Sequence, residues 1–118
     1  MSESRPSKRG LIDFILQRLS AVVIGIYIIH LVVIFTLNSG MDYVAWRSYF
    51  TSAYSLILST LTVIAIVIHA WIGMWTIGTD YIRGQDRAKL LRTTYQVVVV
   101  AGLVIYLIWS LGLIWGIL

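Results

Sequence analysis

Cysteine is absent from the 118 residues. That excludes disulfides, thiolate metal sites, iron–sulfur ligation within the chain and a cysteine nucleophile. With one proline and nine glycines, the composition is neither collagen-like nor low-complexity. Charge is also scarce: 12% of residues are Asp, Glu, Lys or Arg, against roughly 25% in an ordinary soluble domain. The shortfall excludes a disordered chain and argues against a soluble globule. No glycine-rich phosphate loop occurs, and no soluble stretch is long enough to house a dicarboxylate, nucleotide or flavin site.

What the chain has instead is apolar length. Hydrophobic residues make up 59%, and the mean hydropathy is +0.89. Three runs carry no charged residue: Leu19 to Met41, Ser48 to Thr79 and Thr93 to Leu118. Each reaches the roughly 20 residues needed to cross a bilayer core, and none is long enough for two crossings. Backbone groups in lipid must be satisfied within the segment, so each run is expected to be a helix. A barrel strand would alternate apolar and polar residues, and Val97 to Val100 and Val63 to Ile68 do not. The expectation is an all-α integral membrane protein, one domain over 1–118, with a polar tail at 1–10 and transmembrane helices at about 15–37, 54–78 and 94–116.

Eight of the nine basic residues lie on one side of that layout. Arg5, Lys8, Arg9 and Arg18 precede or open the first helix; Arg83, Arg87, Lys89 and Arg92 lie between the second and third. The outer connection holds only Arg47. The positive-inside rule then puts the N-terminus in the cytoplasm and the C-terminus in the periplasm. Read this way, the net charge of +4 is a topology signal and not a nucleic-acid footprint. The first apolar run is longer than the ~7–15 residues of a signal peptide, and no Ala-x-Ala site follows, so a retained first helix is expected. Asn38-Ser39-Gly40-Met41-Asp42 breaks that helix, and Tyr43, Trp46, Tyr49 and Tyr54 gather at the outer interface, where amphipathic rings are favoured. The inner loop is read as Asp80 to Arg92. Gly112-x-x-x-Gly116 reads as a helix-packing feature.

Ionisable residues within a membrane are costly and mark function by default. His69 shares a helix face with Thr62, Ala65, Ile66, Gly73, Thr76 and Asp80. The small residues one turn either side leave a groove that a flat macrocycle could approach, with His69 as an iron ligand. They serve equally for close helix packing, with the imidazole hydrogen-bonded inside the bundle. His69 falls about 16 Å in from Asp80, and His30 about 25 Å in from Asp13. The mismatch argues against one haem held by both, so a haem on His69 needs its second ligand from another chain. Arg18, a permanent cation, suits a haem propionate or a lipid phosphate reached by snorkelling. Asp80-Tyr81 at the inner end offers a hydroxyl donor that a quinone carbonyl would need, but also fits an aromatic belt.

The stretch His69-Ala70-Trp71-Ile72-Gly73-Met74-Trp75 followed by Asp80-Tyr81, with Asp13-Phe14-Ile15-Leu16 and Arg18 at the first helix, resembles the hydrophobic membrane-anchor subunit of bacterial succinate dehydrogenase, respiratory complex II. The resemblance runs from about Leu11 to the C-terminus. It implies an inner-membrane chain that pairs with a cytochrome b anchor subunit, docks an iron–sulfur and a flavoprotein subunit, and shares one haem b. It further implies His69 as the axial haem iron ligand, Arg18 near the propionates and Tyr81 as hydrogen-bond donor to ubiquinone, with Asp80 beside it. His30 matches no family motif and is read as a packing or interhelical hydrogen-bonding residue. No catalytic residue is expected in this chain. A fumarate reductase anchor and a non-redox accessory membrane protein are the alternatives.

Overall fold

The computed structural model describes residues 8–81 and 86–116; for 79–81 and 86 it describes the backbone alone. Among the described residues four helices follow in order: α1 (Lys8–Leu37), α2 (Tyr43–Phe50), α3 (Ala53–Tyr81) and α4 (Asp86–Ile114). Three of them are long and apolar enough to cross a membrane, at Lys8–Leu37, Ala53–Gly78 and Arg87–Ile114. The shortest of these, 26 residues, spans about 39 Å, more than a ~30 Å hydrocarbon core. Helix ends therefore extend into the headgroup layer.

That excess length explains where the helices outrun the apolar runs. α1 starts at Lys8 rather than near 15, so Lys8, Arg9 and Gly10 are helical and not part of a tail. α4 starts at Asp86 rather than near 94. Charged residues are tolerated at headgroup depth, and intrahelical bonding still satisfies the backbone there. The loop expected over Asp80 to Arg92 is helical at both described ends, Asp80 and Tyr81 closing α3 and Asp86 to Arg92 opening α4; residues 82–85 lie outside the described residues.

α2 is a short helix where only a loop was expected. Asp42 caps it, its side chain accepting from the Ala45 N–H at 2.8 Å, as an N-cap aspartate should. Gly40, with φ +91°, turns the chain between α1 and this cap, a conformation glycine adopts without steric cost. Along one face of α2, Tyr43 stacks on Trp46 at 6.0 Å and Phe50 tilts against Trp46 at 5.0 Å, and Phe50 packs on Phe35 of α1 at 6.1 Å.

α3 lies between α1 and α4 and packs on both. Its buried positions are mostly small and polar: Ser55, Ser59, Thr62, Val63 and Ala65. Small residues let backbones approach closely where lipid removes any hydrophobic drive between helices. Hydrogen bonds cross the seams: Tyr27 to Ser59 hydroxyls at 3.0 Å, the Trp115 indole N–H to Thr60 Oγ1 at 3.0 Å, and the Tyr95 hydroxyl to the Met74 carbonyl at 2.9 Å. Gly112 is buried, as expected for packing. Gly116 is not a packing residue: it sits beyond the end of α4 with φ +74° and open space around its Cα. Its N–H bonds the Leu113 carbonyl at 3.3 Å, so it closes the helix as a left-handed terminator.

Among the described residues, Val63 and Ala65 are the only buried apolar side chains. Large side chains along all three long helices face outward, Ile29 and Ile108 each being 65% exposed.

Candidate functional site

His69 projects from α3 toward α1. Its Nδ1 lies 3.1 Å from the hydroxyl of Ser20, and that hydroxyl donates to the Gln17 carbonyl at 3.0 Å. Ser20 is only 5% exposed, the one buried residue of α1. Nε2 of His69 has no hydrogen-bond partner among the described residues. One turn earlier on α1, Gln17 packs on Gly73: a Cβ there would lie 3.7 Å from the Gln17 amide nitrogen. Its Oε1 is buried with no hydrogen-bond partner in the described structure. The small residues bracketing His69 thus serve helix packing on the Gly73 side. On the other side, Ala65, Ser20 and Ile68 line an apolar groove of about 350 Å³ with Leu16, Leu19 and Val23.

Arg18 is not on this seam. Gln17 and Ser20 set the α3-facing side of α1, and at about 100° per residue Arg18 lies roughly 200° from Ser20. It is exposed, its guanidinium stacked 5.0 Å over the Phe14 ring. Asp80 and Tyr81 end α3, and their side chains lie outside the described residues.

His30 occupies a separate site. Its Nε2 is hydrogen-bonded to the Tyr49 hydroxyl, and its ring stacks on Tyr27 at 6.0 Å and Tyr49 at 5.8 Å, with Tyr54 tilted at 5.7 Å. It therefore bonds between α1 and α2, the interhelical role read from the sequence. Burial, reinforced by the neighbouring Tyr54 and Tyr27 phenols, pushes the Tyr49 hydroxyl above its ordinary value. Ten residues separate His30 from Ser20, the α1 partner of His69, which is about 15 Å of helix rise. One iron cannot bond both histidines of the chain.

No group of three or more His, Asp or Glu side chains gathers to hold a metal ion among the described residues. The donor set is a single imidazole with one nitrogen engaged, set beside an apolar groove. Such a set suits a metal whose other ligands come from a macrocycle and a second chain, and not a bare ion. Ser20 and Gln17 went unread in the sequence. The available signal was their i, i+3 spacing, which puts two polar residues on one face of an apolar helix.

Residues 4–109 match the family of succinate dehydrogenase/fumarate reductase transmembrane subunits. The chain belongs to this family. It is also 33% identical over 111 residues to the succinate dehydrogenase hydrophobic membrane anchor subunit of Coxiella burnetii, covering 94% of this chain and 93% of that one. The succinate dehydrogenase anchor family accounts for the architecture: three apolar spans, hardly any soluble mass and a multi-pass position in the inner membrane.

Proposed function

We propose that the chain anchors the flavoprotein and iron–sulfur subunits of a succinate:ubiquinone oxidoreductase, and that with a cytochrome b anchor subunit it holds one haem b. Support for the haem reading comes from one observation above all: an imidazole within the apolar Ala53–Gly78 span whose Nδ1 is hydrogen-bonded while Nε2 is left with its bonding capacity. His69 is the axial ligand from this side. A haem ligated by two histidines, one from each anchor, supplies one-electron transfer with no open iron position. The 15 Å offset of His30 supports a second ligand from the other anchor.

The remaining roles follow the same frame. Arg18, exposed on α1, neutralises propionate charge where the dielectric is low. Tyr81 donates a hydrogen bond to a carbonyl of ubiquinone at the cytoplasmic end of α3, beside Asp80. The N-terminus is cytoplasmic, which puts α2 and its aromatic face at the periplasmic surface. Under this reading the dicarboxylate and flavin chemistry lies in the soluble subunits, and the anchor positions the acceptor end of the electron path.

The test is a haem spectrum of the complex purified with its partner subunits. His69→Ala is expected to alter or remove the reduced b-type band, while His30→Ala leaves it near the parent. The reverse pattern would overturn the assignment. A complex with no b-type band in the parent would favour a haem-free anchor.

A further inference from the structure

We propose that Ser20 is the positioning residue for His69: its hydroxyl accepts the Nδ1–H hydrogen bond and holds the imidazole in the tautomer that leaves the Nε2 lone pair free. This deepens the haem reading above and rests on it.

The argument is a count of protons. A serine hydroxyl has one proton to give and two lone pairs to receive with. Ser20 Oγ has two partners, the Gln17 carbonyl at 3.0 Å and His69 Nδ1 at 3.1 Å. The carbonyl can only accept, so the single hydroxyl proton goes to it. The second contact is then a hydrogen bond only if Nδ1 is the donor. A neutral imidazole has one N–H and one bare nitrogen. With the proton on Nδ1, Nε2 is bare, the form required of an iron ligand. If the hydroxyl proton were given to Nδ1 instead, Nε2 would carry the hydrogen and could not ligate.

Burial makes the arrangement selective. Ser20 is 5% exposed, so bulk water does not compete for either bond. Its oxygen is also held from behind, because its donor bond returns to its own helix one turn earlier. Gln17, which supplies that carbonyl, is seated on Gly73 of α3. Ser20 and Gln17 of α1 therefore meet His69 and Gly73 of α3 at one place, and the ring plane of His69 follows the α1–α3 packing. An acceptor on the distal nitrogen also raises the basicity of a ligating histidine. A more basic ligand favours ferric over ferrous iron.

Ser20→Thr and Ser20→Val in the complete complex separate the hydroxyl from the shape, since the two differ by a hydroxyl for a methyl. Haem content per complex, the midpoint potential and the low-spin ferric electron paramagnetic resonance signal are read for each. Thr is expected to match the parent in all three. Val is expected to raise the potential, with a tenfold change in the ferric-to-ferrous affinity ratio corresponding to about 59 mV for one electron, and to alter the ferric signal. Parent-like potential and signal in Val would overturn the proposal. So would Thr and Val altered to the same extent, which would make the site one of shape. If Val yields no assembled complex, Ser20→Ala takes its place on the same criteria. Should neither apolar variant assemble, a parent-like Thr complex supports the hydroxyl, and loss of assembly in Thr as well overturns it. Haem and potential unchanged in His69→Ala would instead sink the ligand reading itself, whatever Ser20 does.

Discussion

The ring of Tyr95 fills the space that a side chain on Gly78 would need: a Cβ built there lies 2.8 Å from Tyr95 Cε1 and 3.0 Å from Cδ1. The ring is also pinned by its hydroxyl, which donates to the Met74 carbonyl one turn away on α3. Gly78→Ala therefore forces the C-terminal part of α3 and the N-terminal part of α4 apart. A cost of about 1–3 kcal/mol is expected, the usual range for overpacking, read as a lower thermal midpoint of the purified complex. Gly25→Ala is the control, because nothing lies within 4 Å of its added Cβ. It should leave the midpoint unchanged or raise it slightly, as alanine favours helix over glycine.

Tyr49→Phe removes the hydroxyl that joins α2 to His30 and keeps the stacked ring. The expected loss is about 1 kcal/mol of local stability, seen as faster amide exchange across residues 43–50 with the three spans unaffected. Alkaline pH should act in the same direction. Burial raises the Tyr49 hydroxyl above its ordinary 10.0, so the folded state holds that proton more tightly than the unfolded one. The contribution is fully present below pH 10 and is lost as pH climbs through the raised value. Protection of α2 falling between pH 6 and 8 would contradict this.

Orientation can be checked in cells, and the absence of native cysteine makes single-site labelling clean. Ser39→Cys is expected to react with a membrane-impermeant maleimide in intact cells, and Gln85→Cys only after permeabilisation. The opposite accessibility would invert the topology.

Tyr81→Phe keeps an aromatic ring at the end of α3 but removes the hydroxyl donor. Succinate:quinone activity should fall several-fold, while succinate oxidation by an artificial acceptor that bypasses quinone stays near the parent level. Equal losses in both assays would point to faulty assembly, and no loss in either would leave Tyr81 as an interfacial aromatic.

How much of this was legible beforehand depended on the kind of signal. The three spans followed from length, because a bilayer demands about 20 apolar residues per helix and each uncharged run met the demand. Their ends did not follow, since Lys8 to Gly10 and Asp86 to Arg92 extend helices into a layer where polarity no longer reports structure. α2 was missed although Asp42 and the Tyr43, Trp46 and Phe50 spacing encode a cap and one aromatic face. Those rings were read as interfacial anchors, which the same composition also describes. His69 stood out because an imidazole in lipid is expensive. Ser20 did not, because a serine in an apolar helix costs little and gains meaning only when another helix is known to face it. Gly112 and Gly116 show the same limit: their spacing is that of a packing motif, and only the φ of Gly116 reveals that the second one ends the helix.

The near absence of buried apolar side chains, Val63 and Ala65 alone among the described residues, fixes what stability means for this chain. Water-to-core transfer, which dominates the folding of a soluble domain, contributes little to holding α1, α3 and α4 against one another. Each span is already stable as a helix once inserted. The equilibrium that matters is helix separation within the bilayer, governed by small-residue packing and a few hydrogen bonds of about 0.6 kcal/mol each. Denaturants that act by solvating exposed apolar surface therefore probe the wrong reference state. Lateral dissociation in lipid or mixed micelles, measured against the mole fraction of detergent, is the titration in which substitutions along the α1–α3 seam should register.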